Sequence, residues 1–361
     1  MTTPQHFPIW SWLAPLVGVL LFVFALLFPG AWLIAPMAIG LFACVQASVH
    51  HAEVIAIRVG EPMGTFVLAL AVTIIEVALI TMLMISGGES ATFLARDSVF
   101  AAVMIILNGV IGLCLVVGAA RHHEQAFQLR GVSAALATLS ALAVLTLVLP
   151  NHTKSLAGPI YTSLQLVFVG IASLILYVTF VFVQTIRHRD YFLPEESVAH
   201  DESVHAAPPS RRVAWGAFGL LFVSLCAVVG LAKLLSPAIE AAVDWAGAPR
   251  SLVGIVIALV VLLPEGFAAV RAAKHDRLQT SMNLALGSAL ATIGLTIPTL
   301  ACVSILTGLT LSLGLEAKES VLLMLTLIVS TLSLGTGRTT VLQGAVHLVI
   351  FAAFLFTTIF P

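Results

Sequence analysis

Long apolar runs alternate with short polar segments along the whole chain. A helix needs about 20 apolar residues to cross a bilayer, and the polar breaks divide the chain into eleven runs near that length. The predicted spans cover residues 9–28, 31–49, 64–86, 97–120, 132–149, 158–186, 213–235, 251–271, 282–307, 318–334 and 340–360. The pattern predicts an all-α polytopic membrane protein with about eleven transmembrane helices.

Composition excludes a soluble globular fold. Of 361 residues, 60% are hydrophobic and 9% are charged, and the mean hydropathy is +1.10. The formal net charge is −1 and the basic residues are scattered, so no nucleic-acid partner is expected. The lipid bilayer is the expected surrounding.

Loop charge predicts the orientation of the chain. Loops on one side carry eleven of the 16 Lys and Arg residues. The other side carries Arg96, Lys154, Lys233, Arg250 and Lys318. Because cytoplasmic loops are enriched in basic residues, we expect a cytoplasmic amino terminus and an external carboxyl terminus.

Two carboxylates lie inside apolar spans, whereas the other acids lie in loops or near span ends. They are Glu76 in the third span and Glu265 in the eighth. A charge at the bilayer centre costs between about 2.5 and 17 kcal/mol, which indicates a functional role. The two spans are five apart, an odd number, so a duplicated unit would have opposite topology in its two copies.

This offset predicts a domain organisation. Residues 1–30 form an extra transmembrane helix, and residues 31–187 and 213–361 form two inverted repeats of five spans each. Residues 188–212 form a charged cytoplasmic linker, rich in acids, histidine and proline, that is typical of a solvated, flexible segment. A regulatory cation sensor in this linker is the alternative.

The two glutamates can support antiport. Carboxylates that face each other across a dry interface repel when both are ionised, and either a proton or a metal cation relieves that repulsion. Competition for one site that faces one side at a time is an exchange mechanism. Ca²⁺ suits such a site because it accepts carboxylate, carbonyl, amide and hydroxyl oxygens. Pro264 is expected to break its helix and free a carbonyl near Val260.

Isolated polar residues in the spans are candidate neutral ligands, although membrane helices also use such residues for packing. These candidates are Thr73, Asn108, Asn283, Ser288 and Thr292. His50, His51 and Glu61 lie in a predicted cytoplasmic stretch, where solvation at the interface is the default and gating or proton entry is the alternative. His347 is expected to be a structural hydrogen-bonding group, with a proton path as the alternative.

Three stretches carry a family resemblance. They are "HHAEVIAIRVGEPMGTFVLALAVTIIEVALI" (50–80), "LPEGFAAVRAAKHDRLQTSMNLALGSALATIGLTIPTL" (263–300) and "STLSLGTGRTTVLQGAVHL" (330–348). The chain resembles the calcium/cation antiporter superfamily, and within it the bacterial ChaA-like Ca²⁺/H⁺ antiporters. The resemblance implies a bacterial inner-membrane protein that transports Ca²⁺ and protons without a resident cofactor, with Glu76 and Glu265 alternately protonated and metal-bound.

The glutamate motifs depart from the wider superfamily, which usually has Gly-Asn before the glutamate. This chain has Thr-Ile-Ile-Glu and Leu-Leu-Pro-Glu instead. The order of preference among Ca²⁺, Na⁺ and K⁺ therefore stays open, and a Na⁺/H⁺ or K⁺/H⁺ antiporter is the alternative. A cation channel and an intramembrane enzyme are remote alternatives, the latter because the sequence has no HExxH or GxSxG motif and no pair of intramembrane aspartates.

Overall fold

The computed structural model describes residues 8–60, 63–87, 92–193, 209–245, 247, 249 and 251–360. Within these residues, eleven helical segments are long and apolar enough to cross a bilayer. The predicted number of spans and the helical class are confirmed. Two strands of two residues each are the only strands in the described part of the chain.

The chain folds into two compact units, residues 1–91 with 203–253 and residues 92–202 with 254–361. The division into inverted repeats, which follows the order of the sequence, stays a prediction. The helices of the first unit are α1 (Ile9–Leu27), α2 (Ile34–Val59), α3 (Met63–Gly87) and α8 (Arg211–Trp245).

Small residues allow close helix packing in the first unit. A Cβ atom built on Gly40 of α2 would lie 2.9 Å from Cδ1 of Leu21 in α1. A Cβ atom on Gly230 of α8 would lie 2.7 Å from the ring of Phe22. Helix α1 therefore packs on both α2 and α8, through the small-residue contacts that membrane helices use to bring backbones together.

The second unit contains the remaining elements. They are α4 (Leu94–Met104), α5 (Ile111–His122), β1 (Gln125–Ala126), α6 (Leu129–Ala143), α7 (Ser163–Phe182), α9 (Ser251–Lys274, of which the first three residues belong to the first unit), α10 (Leu278–Thr307), α11 (Ala317–Leu334), β2 (Arg338–Thr339) and α12 (Val341–Ile359). Three π-helical turns interrupt the spans of this unit, at Ile105–Val110, Val144–Val148 and Val183–Arg187. The first of them joins α4 and α5 into one span.

Loops of the second unit form two separate groups. In one group, Asn151 Nδ2 donates to the Leu315 carbonyl at 2.5 Å, and Ile160 forms an isolated bridge with Ser312. In the other, β1 pairs with β2 in an antiparallel ladder, and the His122 ring nitrogen Nε2 lies 3.1 Å from the Lys274 carbonyl. This grouping agrees with the predicted spans, in which successive loops lie on alternate sides of the membrane. Each group contains only loops that the sequence assigned to the same side.

Two helices extend beyond their predicted spans, and the start of the predicted linker is ordered. Helix α8 continues ten residues beyond the predicted end of its span, to Trp245. Helix α2 continues ten residues beyond the predicted end of its span, to Val59, because histidine and glutamate interrupt hydropathy without breaking a helix; it ends at Gly60, whose φ is 77°. The first residues of the predicted flexible linker are ordered. Arg189–Phe192 form a 3₁₀ turn, and the Phe192 ring is buried at an edge-to-face distance of 5.8 Å from Phe180. Residues 194–208 lie outside the described part of the chain.

Candidate functional site

Glu76 occupies the middle of α3 in the first unit. Glu76 is 3% exposed, so its carboxyl group is almost completely buried. Thr73 lies one turn earlier and is also buried, and its hydroxyl donates to the Ala69 carbonyl at 2.8 Å. The Thr73 proton is therefore satisfied within its own helix, while the hydroxyl oxygen keeps a lone pair that can bind a cation.

Glu265 lies near the middle of α9 and is half-buried. The predicted helix break at Pro264 was wrong, because α9 runs without interruption from Ser251 to Lys274. Proline is tolerated inside membrane helices when neighbouring groups satisfy the backbone. The chemical consequence remains, since Pro264 has no N–H to donate to the Val260 carbonyl. Next to the glutamate, a Cβ atom built on Gly266 would lie 3.2 Å from Cγ2 of Val110.

Tyr177 is a neighbour of Glu265 that the sequence analysis missed. It lies on α7 and is 3% exposed, and its phenol interacts electrostatically with the Glu265 carboxyl group. Its position depends on Gly294 of α10, where an added Cβ atom would lie 2.5 Å from the tyrosine Cβ. The available signal was the only tyrosine in the predominantly apolar run "GIASLILYVTFVF".

The candidate ligands on α10 have different surroundings. Ser288 and Thr292 are one helical turn apart, and Thr292 is 3% exposed. The Ser288 hydroxyl is buried and has no hydrogen-bond partner among the described residues. Asn283 is closer to the start of α10. Its amide oxygen accepts a hydrogen bond from Gln279 Nε2 at 2.9 Å, and its amide nitrogen donates to the Phe192 carbonyl at 2.6 Å. Asn283 therefore holds the 3₁₀ turn of the linker to α10.

Asn108 lies in the first π-helical turn and is fully buried. Its amide nitrogen donates to Thr326 Oγ1 at 2.9 Å, and its amide oxygen lies 3.2 Å from Nδ1 of His347. The other ring nitrogen of His347 lies 2.8 Å from Ser333 Oγ. The prediction that His347 is a hydrogen-bonding group is confirmed, and the same bonds already engage both polar atoms of the Asn108 amide.

The two neighbouring histidines belong to the first unit and differ in their surroundings. His51 is fully buried, and its Nε2 lies 2.8 Å from the Ser11 carbonyl of α1. Because a carbonyl can only accept, Nε2 carries the proton. His50 packs on the Trp10 ring at a centroid distance of 5.2 Å. The prediction that His51 is solvated at the membrane interface was therefore wrong. Glu61 lies outside the described residues.

A buried ion pair begins α4. Arg96 was predicted in a polar loop but lies in the first turn of the helix at 5% exposure, beside Asp97 at 8%. The Arg96 Nε donates to Asp97 Oδ1 at 2.8 Å, and Nη1 donates to the Gly314 carbonyl at 3.2 Å. Glu316 and Glu319 complete the cluster, each with a nitrogen-to-oxygen distance of 4.0 Å.

Comparison with known proteins agrees with this fold. The family model described as "Sodium/calcium exchanger protein" matches residues 29–186 and 216–360. The "Putative ionic transporter y4hA" of Sinorhizobium fredii (strain NBRC 101917 / NGR234) is 52% identical over 99% of this chain and 97% of its own length. The "Sodium-potassium/proton antiporter ChaA" of Escherichia coli (strain K12) is 36% identical over 88% of this chain and 86% of its own length.

Two solved structures have the same fold. The structure of native YfkE superposes with a TM-score of 0.74 at 20% identity, covering 97% of this chain and 100% of that one. The crystal structure of the H⁺/Ca²⁺ exchanger CAX superposes with a TM-score of 0.71 at 15% identity, covering 96% of this chain and 87% of that one.

Fold and relatives together define a multi-pass integral membrane protein that exchanges cations, and thus a transporter rather than an enzyme. The chain belongs to the sodium/calcium exchanger family, within the calcium/cation antiporter superfamily.

Proposed function

We propose that this protein exchanges Ca²⁺ for protons across a bacterial inner membrane, with Glu76 and Glu265 as the groups that bind proton and cation in turn. The observation that carries the proposal is the position of these two acids. Each lies near the midpoint of a long apolar helix, about 20 Å along the axis from its first residue at 1.5 Å per residue. Exchangers built from inverted repeats bind their substrates at this depth.

The chemistry follows from two acids that share one substrate. With both carboxyl groups ionised, a divalent cation neutralises their charge; with both protonated, the site has no net charge and can reorient empty of metal. Exchange is coupled when the site reorients in either of these two neutral forms and in no other form. Ca²⁺ needs six to eight oxygen ligands, and the proposal assigns further oxygens to Thr73, Ser288, Thr292 and the Val260 carbonyl.

Exchange of Na⁺ or K⁺ for protons is the second candidate function. It is favoured by the 36% identity to a relative named as a sodium-potassium/proton antiporter. The sequence around each glutamate also lacks the Gly-Asn of the wider superfamily, so fewer amide oxygens are available to a divalent cation. A monovalent cation carries one charge and would displace a single proton from the pair.

The orientation is part of the proposal. Excess Lys and Arg on one set of loops supports a cytoplasmic amino terminus and an external carboxyl terminus. In a cell, inward proton flow through such an exchanger would drive export of the cation. Single cysteines placed at Thr153 and at Arg338, each in a background without native cysteines, should react with an impermeant maleimide from the outside and from the inside, respectively.

The test is exchange in everted membrane vesicles with an imposed proton gradient. Wild-type vesicles should accumulate Ca²⁺ against its gradient, and Glu76→Gln and Glu265→Gln should each abolish accumulation, because an amide keeps the size of the side chain but cannot titrate. Glu316→Gln is the matched control, since Glu316 is 70% exposed and lies outside the spans. Competition among Ca²⁺, Na⁺ and K⁺ at one fixed gradient then ranks the cations.

Three results would contradict the proposal in different ways. Normal exchange by either glutamine variant would remove the paired carboxylates from the mechanism. Exchange of K⁺ or Na⁺ without Ca²⁺ would replace the first candidate with the second. Cation flux that persists without a proton gradient would indicate a channel.

A further inference from the structure

A glycine-lined contact brings α12 unusually close to the span that contains the first π-helical turn. A Cβ atom built on Gly344 of α12 would lie 2.7 Å from the Val116 backbone nitrogen, and one on Gly112 would lie 3.1 Å from the His347 Cβ. A Cβ atom on Gly109 would lie 3.4 Å from the Phe351 ring. The contact at Gly344 leaves no room for a larger residue, a Cβ atom on Gly112 would require its neighbour to shift slightly, and Gly109 is in ordinary contact with Phe351. His347 lies beside the π-helical turn, within hydrogen-bonding distance of Asn108.

The hydrogen bonds of His347 have one consistent arrangement. The Asn108 amide nitrogen donates to Thr326, so the amide oxygen is the atom that faces the histidine and it can only accept. The Nδ1 atom of His347 must therefore carry a proton. In the neutral ring, Nε2 then accepts from the Ser333 hydroxyl at 2.8 Å, a shorter contact than the 3.4 Å from the same hydroxyl to the Ser330 carbonyl. Both ring nitrogens of His347 and both polar atoms of the Asn108 amide are thus engaged.

The π-helical turn also contacts the glutamate helix. Val110, its last residue, packs on Gly266, which directly follows Glu265. π-Helical turns occur mostly as single insertions within α-helices, frequently at functional sites. A chain of contacts therefore runs from His347 through Asn108 and Val110 to the backbone beside Glu265, and all of it lies within the second unit.

We propose that His347 is a positioning residue for cation exchange: through Asn108 it holds the π-helical turn against Gly266 and so sets the affinity of the Glu265 site for the cation. The inference rests on the proposed function, because it takes Glu265 as a cation-binding group. It assigns Asn108 to support of the site in place of direct ligation, since both polar atoms of its amide are engaged.

The experiment compares variants of His347 in proteoliposomes, measuring KM and maximal rate for Ca²⁺ and, in parallel, for K⁺. His347→Asn presents an amide nitrogen near the place of Nδ1 and should keep KM within about twofold of wild type, whereas His347→Leu removes the donor. His347→Leu should raise KM by about tenfold, the effect of roughly one buried hydrogen bond. Thr326→Val removes the acceptor on the other side of the Asn108 amide and should raise KM in the same direction.

Tyr161→Phe is the matched control. The Tyr161 hydroxyl donates to the Leu145 carbonyl at 2.6 Å, within the second π-helical turn, so this variant also removes a hydrogen bond to such a turn. It should leave KM unchanged. Cation-dependent thermal stabilisation of the detergent-solubilised variants gives affinity without transport and should weaken in parallel with the rise in KM.

The inference is overturned if His347→Leu lowers the yield of folded protein while KM per folded transporter stays at the wild-type value, since a purely structural role predicts that result. It is also overturned if His347→Asn shifts KM as much as His347→Leu. If His347→Leu does not fold, an unchanged KM in Thr326→Val decides against it. Glu265→Gln is measured alongside. Normal exchange by Glu265→Gln would refute the proposed function. Loss of exchange in Glu265→Gln together with an unchanged KM in His347→Leu would refute this inference alone.

Discussion

Removal of Arg96 should destabilise the second unit more than loss of any exposed charge. The guanidinium and the Asp97 carboxylate are both more than nine-tenths buried and lie 2.8 Å apart, and the guanidinium also donates to the Gly314 carbonyl. Truncating one partner of such a pair leaves an uncompensated charge and typically costs about 3–5 kcal/mol. We expect Arg96→Met to fall in this range, near its lower end if the Asp97 carboxyl group takes up a proton.

Two variants separate this effect from loss of charge alone. Glu316→Gln removes an acid that is 70% exposed at 4.0 Å from the guanidinium, so it should change the free energy of unfolding by less than about 1 kcal/mol. Arg96→Met combined with Asp97→Asn removes both charges of the buried pair. This double variant should recover more than half of the loss, because replacing both buried partners avoids the stranded charge.

The assay can report on one unit at a time, since cysteines are buried in both. Cys114 is buried in the second unit and Cys44 in the first, whereas Cys226 and Cys302 are exposed. Replacing every cysteine except Cys114 by alanine makes its reaction with a thiol-activated dye a measure of unfolding of the second unit. A loss of about 4 kcal/mol should lower the midpoint by about 10 °C. Equal midpoints for Arg96→Met and Glu316→Gln would refute the reasoning.

Three other changes test separate parts of the structure. Apparent Ca²⁺ affinity should rise with pH until both intramembrane glutamates are ionised and then level off, and deleting residues 194–208 should leave this profile unchanged in a transport assay; a flattened profile would place the proton sensor in the linker. Phe192→Ala should cost about 3 kcal/mol in thermal unfolding, because the ring is buried on Phe180, and a change below about 0.5 kcal/mol would show that the 3₁₀ turn does not dock. Tyr161→Phe should lower the free energy of unfolding by about 1 kcal/mol at neutral pH. Burial raises the pKa of Tyr161 to about 12, above the value of 10 for an exposed tyrosine. The stability advantage of the wild type should therefore be complete below pH 10 and disappear as pH rises toward 12. An advantage that persisted above pH 12 would contradict that assignment.

Hydropathy was sufficient for the number of spans because a bilayer requires about 20 apolar residues in each. Every predicted span corresponds to a helix, and the isolated acids Glu76 and Glu265 were visible as exceptions to an apolar background. The ends of the helices were less accurate. Helix α2 extends to Val59 because polar residues such as His51 interrupt the hydropathy without breaking the helix, and the fold buries His51 against α1.

The class of protein, the spans, and the two acids that can titrate inside the membrane were all accessible without coordinates, because each depends on composition and spacing along the chain. Which polar residues are engaged by other groups depended on folding. Asn108 and Asn283 were equivalent candidates in the sequence, but folding engages one with His347 and Thr326 and the other with Phe192 and Gln279. It also placed Tyr177 near Glu265 and buried Arg96 beside Asp97. A hydrogen-bond partner from a distant helix has no fixed sequence separation, so only the packed structure identifies it.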